Sequence, residues 1–268
     1  MGQRIALTVE YNGAAYNGWQ LQQGANVATV QGVLEAALGA VAARPVRLFC
    51  AGRTDSGVHA TNQLVHFDAP TARSPKAWLM GSNANLPDSV VVKGVQAVPA
   101  EFHARFSARS RRYRYLILNT AVRSALAPAQ LTWVRYPLDV ALMHGEAQSL
   151  LGERDFSAFR AASCQSTTAM RHVDFVEVYR HGELVVVDIQ ANAFLHHMVR
   201  NIVGTLLAVG CGQLAAGELA GLLALRDRTL APETAPANGL YLVGVSYPAQ
   251  FSLQSFPPGP VFLLPDPD

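Results

Sequence analysis

Ile5-Ala6-Leu7-Thr8-Val9-Glu10, then Thr29-Val30-Gln31-Gly32-Val33-Leu34-Glu35-Ala36-Ala37-Leu38-Gly39-Ala40-Val41, then Val46-Arg47-Leu48-Phe49-Cys50 read as strand, helix, strand. In the first run apolar and polar residues alternate, the period of a half-buried strand. In the second, Thr29 is a helix cap, and Val30, Val33, Leu34, Ala37, Leu38 and Val41 share one face until Pro45 forbids continuation. A loop rich in glycine and asparagine, residues 12–26, joins the two. Working outward, Gln63 to Phe67 is a further strand, Ser74-Pro75 opens a second helix, and Val90 to Val98 is a fourth strand. The first part of the chain thus runs β-α-β-β-α-β.

The order recurs. A strand over Arg112 to Leu118 is followed by a helix begun by Pro137-Leu138-Asp139, on which Val140, Met143, Ala147 and Leu150 align. Strands over Val173 to Tyr179 and Leu184 to Ala191 come next, then a helix from about Leu195 to Val209, a short one over Gly217 to Leu225 and a last strand over Leu240 to Val245. The expected fold is α+β: two RRM-like or ferredoxin-like split β-α-β units, with antiparallel sheets joined edge to edge and helices on one face. Residues 1–104 and 105–268 are the expected domains. The faces without helices must meet something else.

Half of the 268 residues are hydrophobic and 15% are charged, which excludes a disordered chain. The stretch Ile202 to Leu225 carries only Glu218 and approaches the length of a membrane span. Gly210-Cys211-Gly212-Gln213 interrupts it with a helix stop, so two short buried helices and no membrane segment are expected. The start shows neither a secretion signal nor a myristoylation pattern. Cys50, Cys164 and Cys211 form no Cys-x-x-Cys pair and are odd in number, which points to a reducing cytoplasm.

A net charge of +2 conceals a patch. Phe102 to Leu138 contains Arg105, Arg109, Arg111, Arg112, Arg114, Arg123 and Arg135 and no acid, leaving the rest of the chain at −5. Within it, cations alternate with aromatics from Phe102 to Tyr115, a pattern suited to phosphates and extruded bases of RNA. On a strand, Tyr113 and Tyr115 face the core while Arg112 and Arg114 face water, or RNA in its place.

Two other polar clusters stand out. In Gly52-Arg53-Thr54-Asp55-Ser56-Gly57-Val58-His59, glycines flank a carboxylate between two apolar strands. Asp55 either closes an Asx-type turn or is a presented carboxylate. Asn192, His196, His197, Arg200 and Asn201 lie where a strand ends and a helix begins. On that helix His196 and His197 would point about 100° apart and do not form the His pair of a metallohydrolase, so no metal is expected. Arg200, at the margin of a buried face, needs a carboxylate partner, for which Asp55 is the candidate.

At these clusters the sequence resembles the pseudouridine synthases of the tRNA-modifying type. The Asp55 loop, His103-Ala104-Arg105-Phe106, Arg112-Tyr113-Arg114-Tyr115, His196-His197-Met198-Val199-Arg200-Asn201, Gly239-Leu240-Tyr241-Leu242 and Gly18-Trp19-Gln20 all match in order. Asn12 stands where the family usually has Asp, and Ser56 where Ala is common. The resemblance implies isomerisation of uridine to pseudouridine at positions 38, 39 and 40 of the tRNA anticodon stem-loop, by a cytoplasmic homodimer that uses no cofactor, metal or DNA. It implies Asp55 as the catalytic nucleophile, Arg200 as its ion-pair partner, and Tyr113 against the target base. Arg53 would enter the stem as the uridine flips out, Leu240 would wall the pocket, and Arg111 would bind the RNA backbone. The competing readings are a non-catalytic RNA-binding protein and a base-excising glycosidase.

Overall fold

The computed structural model describes residues 2–22 and 27–263. Positions 23–26 of the loop expected over 12–26, and 264–268 of the tail, lie outside the described residues. The fold is α+β, as expected, and comprises two compact units: the chain up to Arg109 together with the segment from Tyr241 onward, and Ser110–Leu240. These units divide differently from 1–104 and 105–268. The reason is nonlocal pairing, which returns the last strand of the chain to the first unit and which no local sequence signal encodes.

The first unit has strands β1 (Arg4–Tyr11), β2 (Phe49–Cys50), β3 (His59–Asp68), β4 (Val90–Ala97) and β10 (Leu240–Ser246). β1 lies between β4 and β3, antiparallel to both. The long β3 pairs near its end with β2 and at its start, in parallel, with β10 through Tyr241↔His59 and Leu242↔Ala60. β2 is shorter than the strand expected over 46–50, because Glu35 takes the Leu48 N–H at 2.9 Å and keeps it from a ladder.

Helices α1 (Val30–Ala42) and α2 (Pro75–Asn85) cover one face of this sheet. Thr29 and Ser74 cap them, each side chain accepting an N–H three residues on. Leu34 and Leu38 of α1 and Trp78 of α2 are fully buried, and Trp78 meets Phe67 of β3 edge-on at 5.1 Å. At about 1.5–3 kcal/mol per buried large side chain, this layer supplies much of the unit's stability. The Asn83 side chain donates to Val92 O and accepts from Val92 N, occupying backbone groups of the edge strand β4.

The opposite face is covered by the chain itself. Ala6 and Leu64 of the sheet pack with Phe102, Ala104 and Phe251, which come from the segment after β4 and from the tail after β10. The tail is fastened further by Asn62, whose amide donates to Val243 O and Pro257 O, and by Lys93 over the Phe256 ring. On this face burial, followed by the nearby positive charge of His103 and Arg4, pushes the imidazole of His66 down to about 4. His66 is thus neutral in the folded unit, whereas an unfolded histidine takes up a proton near pH 6.5. This contribution to stability is therefore complete above about pH 6.5 and is lost as pH drops toward 4. Urea unfolding at pH 7 and pH 4.5 checks this: wild type should lose stability between the two, and His66→Gln should lose clearly less, whereas an equal loss in the variant would place the effect on another group.

The second unit has strands β5 (Ser110–Asn119), β6 (Thr132–Val134), β7 (Gly152–Asp155), β8 (Met170–His181) and β9 (Leu184–Ala191). β5, β9, β8 and β7 pair antiparallel in that order, and β6 pairs in parallel with β5. Its helices are α3 (Val140–Ala147), α4 (Met198–Gly210) and α5 (Glu218–Leu225). Asp139 caps α3, and Glu146 accepts from the N–H groups of Gly217 and Leu219 at the start of α5. α4 ends at Gly210, and no helix among the described residues is long and apolar enough to cross a membrane.

Candidate active site

In the first unit the residues between β2 and β3 form a loop clamped along its length. From β1, the Tyr11 hydroxyl meets Thr54 Oγ1 at 2.8 Å. From the following segment, Trp19 N donates to Thr54 O at 3.0 Å, and Tyr16 O accepts from both Gly57 N and Ser56 Oγ. Gly13 N donates to His59 Nδ1 at 2.9 Å, and Gln63 donates to Gly52 O at 2.6 Å. Within the loop Val58 N closes a turn on Asp55 O. Asp55 is half-buried between the exposed side chains of Arg53 and Ser56.

Two glycines permit this close approach. Gly18 has φ +79°, and a Cβ there would lie 2.7 Å from Thr54 O; at Gly13 one would lie 2.0 Å from Val58 O. Trp19, fully buried, tilts against Tyr11 at 6.0 Å and anchors the clamping segment. His59 stacks on Tyr241 at 4.7 Å, so the Gly239-Leu240-Tyr241-Leu242 motif runs directly beside the end of the Asp55 loop. Burial raises the Tyr241 phenol well above its ordinary value and keeps it protonated. Burial likewise pushes the Cys50 thiol, at the start of the loop, up to about 12, against the opposing charges of Arg53 and Arg105. It is unreactive at neutral pH.

In the second unit Tyr113 sits on β5 with 8% of its surface exposed and Phe194 edge-on at 5.0 Å. Arg200 lies in the first turn of α4, its Nε donating to Ala235 O at 2.8 Å while Ala235 N returns a bond to Arg200 O. Next to it the buried Asn201 donates to Phe159 O and accepts from Thr234 and Arg228. These bonds fix the turn before β10 against α4. Leu240, at the start of β10, is buried. Arg111 is half-buried and donates to Asn192 O at 3.0 Å.

Two expectations need correction here. α4 begins at Met198, not near Leu195, because His197 adopts a left-handed conformation (φ 62°) and Met198 N turns back onto Leu195 O. His196 and His197 therefore precede the helix, and their rings lie 4.0 Å apart instead of diverging. Nor do Arg112 and Arg114 simply face water. Asp188, opposite Arg114 on β9 and only 1% exposed, accepts from Arg112 Nε and Nη2 at 2.8 and 2.7 Å and from Arg114 Nε at 2.7 Å. The bond to Asp188 raises the Arg112 pKa further, and its guanidinium lies 4.7 Å from the Phe175 ring centre. The seven positive charges of the basic stretch are thus partly offset by an acid distant in sequence.

Asp55 thus lies on a clamped loop of the first unit, and Arg111 to Tyr115 lie on a strand of the second. Comparison with known proteins is specific. The chain belongs to the tRNA pseudouridine synthase family, whose model matches residues 7–107 and 147–248. It is 55% identical to a Cronobacter sakazakii protein named tRNA pseudouridine synthase A, over 97% of this chain and 96% of that one. Relatives of the same name from Yersinia pseudotuberculosis and Pasteurella multocida are each 54% identical, covering 98% and 97% of this chain and 99% and 98% of theirs.

Proposed function

We propose that this protein isomerises uridine to pseudouridine in tRNA, at positions 38, 39 and 40 of the anticodon stem-loop. The observation that carries the reading is the family match over residues 7–107 and 147–248, which includes an Asp55 loop whose backbone is clamped at Thr54, Gly57 and Val58. The reaction breaks the bond from ribose C1′ to uracil N1, turns the base, and joins C1′ to C5. N1 gains a proton and C5 loses one, so no atom is added or removed. One oxygen nucleophile suffices, provided the detached base is kept and water excluded. An inverting glycosidase needs a second carboxylate to activate water, which here would divert the reaction to excision.

In this reading the first unit contributes Asp55 as nucleophile and Arg53 as the group that enters the stem when the uridine flips out, offsetting part of the unstacking cost. The second contributes Tyr113 against the base, Arg200 as the cation that favours the ionised carboxylate, and Leu240 as pocket wall. The protein acts as a cytoplasmic homodimer on tRNA, without a cofactor or metal of its own and without affinity for membranes or DNA. Carbodiimide mapping of tRNA from cells lacking the protein tests the assignment: pseudouridine should disappear from positions 38–40, and its persistence there would refute the reading.

Arg111 is assigned to the RNA backbone. Arg111→Ala should weaken tRNA binding and reduce the slope of log affinity against log salt by roughly 0.7 to 0.9 per lost phosphate contact. Titrations between 50 and 200 mM salt measure it, and an unchanged slope would remove Arg111 from the interface.

A further inference from the structure

An aromatic ladder in the first unit plays no part in the chemistry above. Phe49 stacks on His66 with ring centres 5.1 Å apart and planes at 23°. His66 meets His103 edge-on, at 4.6 Å and 63°, and His103 meets Phe106 at 4.3 Å and 33°. His66, in its middle, is buried, and Phe49 at one end is partly exposed. At the outer end Phe106 is 76% exposed.

Single exposed apolar residues are ordinary on protein surfaces. Phe106 differs because a turn is built around it. His103 Nδ1 accepts from the N–H groups of Arg105 and Phe106 at 3.1 and 3.3 Å. Ser107 Oγ accepts from His103 N, and Ser107 N donates back to His103 O. One residue earlier, Ala104 N donates to His66 Nδ1 at 3.1 Å. The backbone that carries the ring is therefore ordered before any binding, which lowers the entropy cost of a contact there.

The surroundings are cationic. Arg105 lies 5.6 Å from the Phe106 ring centre and Arg47 5.8 Å from that of Phe49. Phe49 directly precedes Cys50 at the end of β2, from which the Asp55 loop begins, so the ladder stands at the base of that loop. Burial lowers the pKa of both ladder histidines, so at neutral pH the charge here comes from the arginines and not from the rings.

We propose that Phe106 is the outer platform of a preformed aromatic cluster that receives one unpaired nucleobase of the tRNA, with Arg105 and Arg47 placed for the flanking phosphates. The proposal rests on the tRNA reading above and specifies how the RNA is gripped beside the Asp55 loop. A single-stranded base fits, since bases in a duplex have both faces covered, and base–aromatic stacking is worth enough to matter at one contact.

The test uses the full-length protein and unmodified tRNA transcript. Phe106→Leu should raise the Kd about fivefold to a hundredfold, the range of one lost stacking contact. Phe106→Trp should restore wild-type affinity to within about twofold, and both variants should keep the wild-type Tm. Transcripts carrying 2-aminopurine at single unpaired positions should show one position whose fluorescence is quenched by wild type and not by F106L. Wild-type affinity in F106L would overturn the proposal, as would F106W being as weak as F106L. A change in oligomeric mass on light scattering with tRNA affinity unaltered would assign Phe106 to a second copy of the chain instead. If wild type neither binds nor modifies the transcript, the function itself is wrong; if it does both and only the Phe106 predictions fail, the stack alone is wrong.

Discussion

Asp55→Asn should abolish pseudouridine formation while leaving tRNA affinity and the fold intact. Asn keeps the size and most hydrogen-bonding capacity of Asp but cannot serve as an anionic nucleophile or base. General acid–base groups contribute roughly 10²–10⁴-fold, and loss of a nucleophile should meet or exceed that range. The fold should survive because the loop backbone is closed by Trp19 N on Thr54 O, Gly57 N on Tyr16 O and Val58 N on Asp55 O, and Asn preserves the size of Asp. Single-turnover assays with saturating protein separate the chemical step from binding. Activity within tenfold of wild type would move the chemistry to another residue, whereas equal loss of activity, affinity and Tm would reduce Asp55 to a structural turn residue.

The second large effect concerns stability. Asp188→Ala should destabilise the second unit by about 3–5 kcal/mol, the usual cost of removing one partner from a buried ion pair and stranding the other. Asp188 is almost wholly enclosed and accepts three bonds from two arginines, of which Arg114 is itself buried. Its loss leaves two guanidiniums side by side with no anion between them. Urea unfolding measures the change, which is large beside the 5–15 kcal/mol of a typical domain. Asp188→Asn should cost less, since its carbonyl still accepts. An unaltered midpoint in D188A would show that solvent, not Asp188, balances Arg112 and Arg114.

The elements were legible wherever a local rule governed them. Thr29, Ser74-Pro75 and Asp139 mark helix starts that the structure keeps, and Leu184 to Ala191 is a strand with those same ends. What escaped local reading depended on residues distant in sequence. β6 and β7 are three and four residues long and owe their existence to β5 and β8. The return of β10 to β3 is a parallel pairing across about 180 residues, and it fixes the unit boundaries. At the site, glycines around a lone carboxylate disclosed the Asp55 loop and the Gly18-Trp19-Gln20 motif marked one of its clamps, but Tyr11 and Tyr16 carried no signal beyond an aromatic-rich approach. Asp188 was invisible among ordinary strand residues, because only the register of β9 against β5 brings it to Arg114. The left-handed His197 was equally hidden, since such a conformation is rare for a residue other than glycine.

The most direct measurement follows from the atom balance of the isomerisation. Joining C1′ to C5 expels the hydrogen at C5, so tRNA transcribed with tritium at C5 of its uridines reports the reaction by releasing label to water. Wild-type protein should release one tritium for each uridine converted, with no free uracil and no break in the RNA, and Asp55→Asn should release none. Free uracil in the supernatant, or wild-type protein that releases no tritium from any tRNA it binds, would contradict an Asp55-dependent pseudouridine synthase.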